Sequence, residues 1–160
     1  YIHTEKDPFC SEFSYFVPAR KLNFEKMNLA CQYFLGEQDF SSLEKVNGGN
    51  KTSICNVTHA GWKPIVPNTA GAATQGQPAA GNTPTHYVFT VTANRFLRNM
   101  VRAMVGSLLE VGSGKREPEW IKEMLAQKNR CAAGHSVPGN ALFLVDVEYP
   151  AEAKMHSSEQ

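Results

Sequence analysis

The sequence lacks the short motifs that mark the common catalytic and nucleotide-binding sites. Its 160 residues contain no P-loop, no dinucleotide-binding fingerprint, no nucleophile elbow and no HExxH zinc motif. The Gly-Ser-Gly run at residues 112–114 follows an apolar helical segment instead of preceding one. It therefore lacks the geometry of a phosphate cradle, which is formed at a helix N-terminus. No enzyme class that depends on one of these signatures is indicated.

Cysteine is scarce, and the four cysteines are far apart in the sequence: Cys10, Cys31, Cys55 and Cys131. This spacing excludes a zinc knuckle and a Cys-x-x-Cys redox pair. We predict four reduced thiols in a cytoplasmic protein, with a disulfide as the alternative. The five histidines show no ligand spacing along the chain, so the sequence predicts no metal site.

Net charge and long apolar runs are also lacking. The formal net charge is only +1, and no apolar run approaches the length of a membrane span. The charge is unevenly distributed, however, because residues 95–130 contain eight basic and four acidic residues, a local excess of +4. The basic residues are Arg95, Arg98, Arg102, Lys115, Arg116, Lys122, Lys128 and Arg130. Such a local surface attracts phosphate even when the total charge is near zero.

Length and composition indicate a single globular domain. At 42% hydrophobic and 19% charged residues, the chain has enough apolar material for a proper core. We expect one α+β domain over 1–150, a long uncharged loop insertion at 67–85 and a polar tail at 151–160. The chain begins at Tyr1 rather than Met, in what resembles the middle of a strand, so we expect a fragment of a longer protein.

The organising element is a predicted helix over residues 94–112. Its apolar residues recur at steps of three and four, the period of one buried helical face: Leu97, Met100, Val101, Met104, Val105, Leu108 and Leu109. Arg95, Arg98 and Arg102 are predicted to form a row on another face. Gly106 follows on that side. Because glycine destabilises a helix interior by about 1 kcal/mol relative to alanine, its presence predicts that another segment packs closely there. We interpret the segment as a core helix that also faces an anion; the alternative is an ordinary helix with a solvated basic face.

The remaining elements alternate between strands and helices. We predict a strand near residues 13–17 that ends at Pro18, and a helix that is capped by Asn23 and ends at Gly36. Strands are predicted at 53–59, 86–92 and 142–149, with a short helix after Pro118. Residues 62–66 are expected either to extend the strand at 53–59 or to pair with it. Phe40 is expected in the core, and Asp39 is expected to act as a local cap or a partner for an arginine. This order predicts an α+β fold, a ferredoxin-like antiparallel or mixed sheet with helices on one face.

Three segments together resemble the tRNA pseudouridine synthase A (TruA) family. They are NRFLRNMVRAMVGSLLEVGSGK (94–115), GEQDFSSL (36–43) and KNRCAAGHSVPGNALFLVDVEYP (128–150). The resemblance implies two ferredoxin-like halves facing each other across a basic cleft, in a homodimer without cofactor. The implied activity is isomerisation of uridine to pseudouridine in the tRNA anticodon stem-loop. The family's nucleophilic aspartate lies in the first half, and this chain resembles only the second, so the chain alone is predicted to be inactive.

The resemblance also assigns roles to individual residues. Arg102 corresponds to the arginine that pairs with the catalytic aspartate, and Leu142 to the apolar wall beneath the flipped uracil. Tyr1 belongs to the strand that carries the base-stacking tyrosine, although the stacking residue itself is expected to precede it. The residues proposed to contact tRNA phosphates are Arg95, Arg98, Lys115 and Arg116. The alternatives are a surface arginine for Arg102, core packing for Leu142 and solvated charges for the other four.

The sequence departs from the family pattern at four positions, which are Gln38, Leu43, Ala103 and Ala141. These departures bear on substrate preference and on the edge of the pocket. Two further functions stay open. One is a non-catalytic RNA-binding module of RNP-like fold, which requires that Tyr87, Phe89 and Val91 face solvent to stack on bases. The other is a dimerisation domain without a ligand.

Overall fold

Five strands form one mixed sheet in the computed structural model, which describes residues 1–17, 22–46, 49–65 and 84–149. The strands are β1 (Ile2–His3), β2 (Tyr15–Phe16), β3 (Gly36–Asp39), β4 (Ile54–Ile65) and β5 (His86–Ala93). Their order across the sheet is β2-β1-β5-β4-β3. β1 and β2 are parallel, and the other neighbours are antiparallel. With three helices, the predicted α+β fold with a mixed sheet is confirmed.

The centre of the sheet is the antiparallel pair of β4 and β5. Of the two alternatives for residues 62–66, extension is confirmed: the described residues up to Ile65 continue the strand predicted at 53–59 as β4, with a β-bulge between Val57 and His59. The bulge inserts one extra residue, so the buried positions step by three from Val57 to Ala60 instead of by two. This irregularity explains why the alternation in the sequence is interrupted there.

Helix α1 (Phe24–Cys31) begins as predicted at Asn23, whose side-chain oxygen accepts a hydrogen bond from the backbone N–H of Lys26 at 2.9 Å. The regular helix ends earlier than predicted and continues as a 3₁₀ turn over Gln32–Phe34. Gly36 has φ +92° and is the first residue of β3, so it redirects the chain into the sheet.

Helix α2 (Met100–Gly112) starts six residues later than predicted. Asn99 has φ +76°, which a right-handed helix does not accommodate. Before it, Asn94 pairs with β4 because its backbone N–H donates to the carbonyl of Asn56 at 3.0 Å. Leu97 is nevertheless only 3% exposed. The apolar period therefore predicted burial correctly but placed the start of the helix wrongly.

Helix α3 (Trp120–Ala126) follows Pro118 as predicted and buries Ile121, Met124 and Leu125. Helix α1 packs against both α2 and β4, which places the core between helices and sheet. The largest fully buried side chains include Phe34, Phe40, Met27, Leu43, Met100, Met104, Leu108, Ile121 and Met124. The expected core position of Phe40 is confirmed. Within the described ranges, no helix is both long and apolar enough to cross a membrane.

All four cysteines are free thiols, as predicted. Burial raises the pKa of the Cys31 thiol to about 12. This thiol therefore stays protonated and acts as a small apolar side chain in the core.

The predicted closing strand over residues 142–149 is wrong, because this segment pairs with none of the described strands. Its apolar side chains are exposed, from 46% at Phe143 to 86% at Val145. Alternating apolar residues form a strand only where a neighbouring strand supplies hydrogen-bond partners. The predicted strand near residues 13–17 is shortened to β2, and Pro18 lies outside the described residues. Most of the 67–85 loop and the whole 151–160 tail also lie outside them.

Candidate functional site

Arg102 lies in the first turn of α2 and is half-buried. Its Nε donates a 2.6 Å hydrogen bond to the carbonyl of Val137, and the backbone N–H of Val137 donates to the carbonyl of Arg102 at 3.2 Å. Within the described ranges, no carboxylate lies within ion-pair distance of this guanidinium. The side chain is therefore anchored through Nε while its two terminal nitrogens keep their hydrogen-bonding capacity.

The segment that anchors Arg102 lies directly on the backbone of α2. A Cβ on Gly106 would overlap the backbone carbonyl of His135, so the close packing predicted at Gly106 is confirmed. Gly134 also lies close to the helix, since a Cβ there would lie 2.7 Å from the Cα of Ser107. The Ser107 hydroxyl accepts a 3.0 Å hydrogen bond from the backbone N–H of Gly134. The close contacts at Gly106 and Gly134 and the hydrogen bond of Ser107 thus hold residues 134–137 against α2, next to Arg102.

Arg130 supports the same segment from the other side. Its guanidinium donates to the carbonyl of Gly134 at 3.2 Å and to the hydroxyl of Ser136 at 2.7 Å. Asn129 caps the 3₁₀ turn that carries Arg130. In the sequence Arg130 is recognisable only as part of the basic excess, because its partners are backbone and hydroxyl oxygens that no charge pattern identifies.

Tyr1 and Leu142 meet at the continuation of this segment. The amino group of Tyr1 donates to the carbonyl of Ala141 at 3.0 Å, and its ring packs edge-on against Phe143 at 5.6 Å. Leu142 lies between these two contacts and is 47% exposed, which rules out core packing for it. Residues 137–143 therefore connect Arg102 at one end with Tyr1 at the other.

The four basic residues expected to contact phosphates form two separate groups. Arg95 and Arg98 precede α2, so the predicted row of three arginines on one helix is wrong. Lys115 and Arg116 follow the C-terminus of α2. The thirteen residues of this helix separate them from the first group by about 20 Å. Arg116 lies 3.7 Å from Glu110 and stacks on the Trp120 ring, so part of its charge is engaged locally.

Arg95 borders a basic depression that the sequence did not predict. Its guanidinium donates to the side-chain oxygen of Asn50 at 3.1 Å. Asn50 lines a pocket of about 410 Å³ together with Lys45, Lys128 and Arg130. Lys128 and Arg130 were part of the basic excess, but Lys45 lies about fifty residues before it in the sequence. Only the fold brings these cations to one surface.

Asp39 acts both as a local cap and as an ion-pair partner. Its carboxylate accepts a 2.9 Å hydrogen bond from the backbone N–H of Ser41 and lies 3.3 Å from the Lys128 ammonium. The expected partner was an arginine, and the structure provides a lysine. Hydrogen bonds from Ser41, with a smaller contribution from Lys128, hold the pKa of Asp39 below its usual value.

This lowered pKa predicts acid sensitivity. A carboxylate with a lower pKa in the folded than in the unfolded chain adds stability above its unfolded pKa of about 3.9, and this stability is lost as the pH falls through the folded pKa. Between about pH 5 and pH 2, the free energy of unfolding should fall less in Asp39→Asn than in the parent. We expect a difference below about 1 kcal/mol, because the Lys128 side chain is 65% exposed. Urea titrations at several pH values measure it. Asp146→Asn is the control, and identical curves for Asp39→Asn and the parent contradict the assignment.

Sequence comparisons agree with this geometry. A family model described as tRNA pseudouridine synthase matches residues 30–150. Three relatives named tRNA pseudouridine synthase A align over 152 residues, or 95% of the chain. Identity is 47% to the protein of Parabacteroides distasonis, 43% to that of Bacteroides thetaiotaomicron and 39% to that of Porphyromonas gingivalis. The chain covers 53%, 51% and 54% of their lengths, so it spans about half of the curated relatives it matches. With α2, Arg102 and the 137–143 segment all inside the matched region, the chain belongs to the tRNA pseudouridine synthase family.

Proposed function

We propose that this chain is the second half of an enzyme that isomerises uridine to pseudouridine in the anticodon stem-loop of tRNA. The observation that carries the proposal is the setting of Arg102. Its Nε is fixed on Val137, and no carboxylate of the described residues pairs with its terminal nitrogens. A guanidinium held in this way is prepared for a carboxylate from outside these residues.

In the proposed mechanism that carboxylate is the nucleophilic aspartate. At about 4 Å and an effective dielectric constant near 20, the Arg102–aspartate attraction is about 4 kcal/mol, which favours the ionised nucleophile. The planar guanidinium fork also fixes the direction of the carboxylate. The enzyme then breaks the N-glycosidic bond, the uracil rotates, and its carbon 5 bonds to C1′ of the ribose. The proton on carbon 5 leaves to solvent and N1 gains a proton, so the product is an isomer of uridine.

Leu142 and Tyr1 supply the apolar surroundings of the target base. A base that has left its stack needs apolar or aromatic side chains against its faces. Leu142 is 47% exposed, and Tyr1 lies against the neighbouring Phe143. We assign Leu142 to the wall beneath the uracil, and Tyr1 to the strand that borders it.

The tRNA backbone is bound by the two basic groups. Arg95 and Arg98, next to the depression that contains Lys45 and Lys128, form one group, and Lys115 and Arg116 form the other. Phosphate contacts need cations at suitable spacing but no base-specific geometry. The proposal extends to a homodimer without cofactor that acts on tRNA in the cytoplasm, and sedimentation of the complete enzyme tests the dimer.

Two proteins, the isolated chain and a chimera, test the proposed function. The 160-residue chain alone should form no pseudouridine in unmodified tRNA, because the nucleophile is expected in the other half. A chimera in which the chain replaces the corresponding half of the Parabacteroides distasonis relative should form it. Mass spectrometry of anticodon stem-loop fragments after chemical labelling of pseudouridine measures both. Activity of the isolated chain, or a folded chimera that forms no pseudouridine in tRNA, contradicts the proposal.

The packing of β5 disfavours the RNP-like alternative. The Tyr87 ring stacks on Phe24 at a centroid distance of 3.6 Å, and Phe89 packs against Trp62 at 5.1 Å. Val91 is also packed against the core. All three side chains are half-buried and packed against the core, so they are not displayed as a free surface for stacking on RNA bases.

A further inference from the structure

Three side chains that commonly ligate metals converge at one end of the sheet. They are Asp7, Cys10 and His86, and their ligand atoms all lie within 4.8 Å of one another. Asp7 and Cys10 belong to the connection between β1 and β2, while His86 is the first residue of β5. Pairing of His3 in β1 with His86 brings the connection and β5 together. The spacing of residues along the sequence gives no sign of this cluster, since its members lie up to 79 residues apart.

Asp7 and Cys10 are held in position by the turn that contains them. One carboxylate oxygen of Asp7 accepts a 2.9 Å hydrogen bond from the backbone N–H of Phe9. The other oxygen accepts a hydrogen bond from the Cys10 thiol, at 3.2 Å. The backbone contact thus fixes the carboxylate, and the second oxygen and the sulfur lie side by side.

His86 is oriented by two neighbours. Its Nδ1 lies 3.0 Å from the hydroxyl of Thr85, and its ring stacks on His3 with centroids 6.0 Å apart. The Thr85 contact and the His3 ring together fix the orientation of the imidazole, and a hydrogen bond to one ring nitrogen is the usual support of a histidine that ligates a metal through the other. His3 is buried, and its own Nδ1 pairs with the Ser14 hydroxyl at 2.9 Å, so it supports the site without joining it.

We infer that Asp7, Cys10 and His86 form a binding site for Zn²⁺. One thiolate, one imidazole and one carboxylate are ligands that zinc accepts, whereas the sulfur disfavours Mg²⁺ and Ca²⁺. The Cys10 proton passes to solvent on binding, and the two resulting anionic ligands neutralise the ion. Tetrahedral zinc places such ligand atoms about 3.3–3.6 Å apart, so the cluster needs to contract by about 1 Å.

The fourth coordination position is left to water. Cys10 and His86 line an open pocket of about 540 Å³, together with Tyr1, Phe9 and Phe13. The metal is therefore reached from solvent through this pocket. A bound ion ties the 7–10 turn to β5 beside Tyr1, which fixes one border of the proposed uracil site.

Titration of the 160-residue chain with Co²⁺, a spectroscopic substitute for Zn²⁺, tests the site. We expect near-ultraviolet thiolate-to-cobalt charge-transfer absorption that Zn²⁺ abolishes by competition. Cys10→Ser should remove this absorption and weaken Zn²⁺ binding at least about tenfold. His86→Gln should weaken Zn²⁺ binding to a similar extent. Cys131→Ser is the matched control, because Cys131 is an exposed free thiol outside the cluster, and it should leave the spectrum unchanged.

Two results overturn the inference. One is the absence of any charge-transfer absorption in the parent chain at a several-fold excess of Co²⁺. The other is absorption that survives in Cys10→Ser, which assigns the metal to another thiol. Circular dichroism of each variant verifies that the fold is intact, so a loss of binding in a folded Cys10→Ser chain supports the site.

Discussion

Replacement of Arg102 by lysine in a complete synthase that contains this half is expected to slow a single turnover of pseudouridine formation by about 10²- to 10³-fold. The guanidinium combines an Nε anchored on Val137 with two terminal nitrogens that form no ion pair with a carboxylate of the described residues. A lysine ammonium is a point charge on a flexible stem and cannot provide both contacts. Rapid-quench kinetics with enzyme in excess over tRNA measures the chemical step.

The matched control for Arg102 is Arg95→Lys. Arg95 also carries one hydrogen bond, from its guanidinium to Asn50, but it lies outside α2 and away from the 137–143 segment. Its replacement should leave the single-turnover rate within about threefold and weaken tRNA binding slightly. Arg102→Lys also removes the hydrogen bond to Val137, so its free energy of unfolding should fall by about 1 kcal/mol. The melting temperature should therefore change little. A near-normal turnover rate in folded Arg102→Lys removes Arg102 from the mechanism.

The second large effect is expected for Gly106→Ala, which should lower the free energy of unfolding by about 2–4 kcal/mol. Alanine is the better helix former by about 1 kcal/mol, so propensity alone predicts stabilisation. The added Cβ, however, overlaps the backbone carbonyl of His135, which cannot move without shifting residues 134–137. The overlap of backbone atoms outweighs the gain in propensity. Urea unfolding followed by tryptophan fluorescence measures the change.

Gly61→Ala is the control for this substitution. A Cβ at Gly61 in β4 meets its nearest neighbour, the Asn28 side chain, at 3.7 Å, an ordinary van der Waals distance. Its free energy of unfolding should therefore stay within about 0.5 kcal/mol of the parent. Because the displaced segment also carries Val137, Gly106→Ala should lower the turnover of the complete enzyme as well. A Gly106→Ala chain as stable as the parent shows that the 134–137 segment does not lie on α2.

Burial and local caps were predictable from the sequence because they depend on short-range patterns. The period of three and four in 94–112 identified five buried residues correctly, although Val101 and Leu109 are only half-buried. Asn23 identified the start of α1. The start of α2 was not predictable in this way. It depends on the left-handed backbone of Asn99, which leaves no mark in the apolar period.

Some parts of the candidate site were likewise predictable from the sequence, and others were not. Gly106 indicated close packing because glycine within an apolar helix is unfavourable unless another segment packs against it. The sequence could not identify the approaching partner, since His135 lies 29 residues further along. Lys45 and the Asp7–Cys10–His86 cluster were missed for the related reason that strand pairing and loop packing bring them together. The role of Arg102 stays a prediction that the kinetic experiment tests.

The unpaired segment 142–149 has a consequence for the behaviour of the chain at high concentration. Its exposed backbone and alternating apolar side chains are a template on which identical segments of other molecules can add as strands. Asp146 and Glu148 interrupt the apolar run and repel copies of themselves, as gatekeeper residues do. The solubility of the isolated half at high concentration therefore depends on whether this segment is covered.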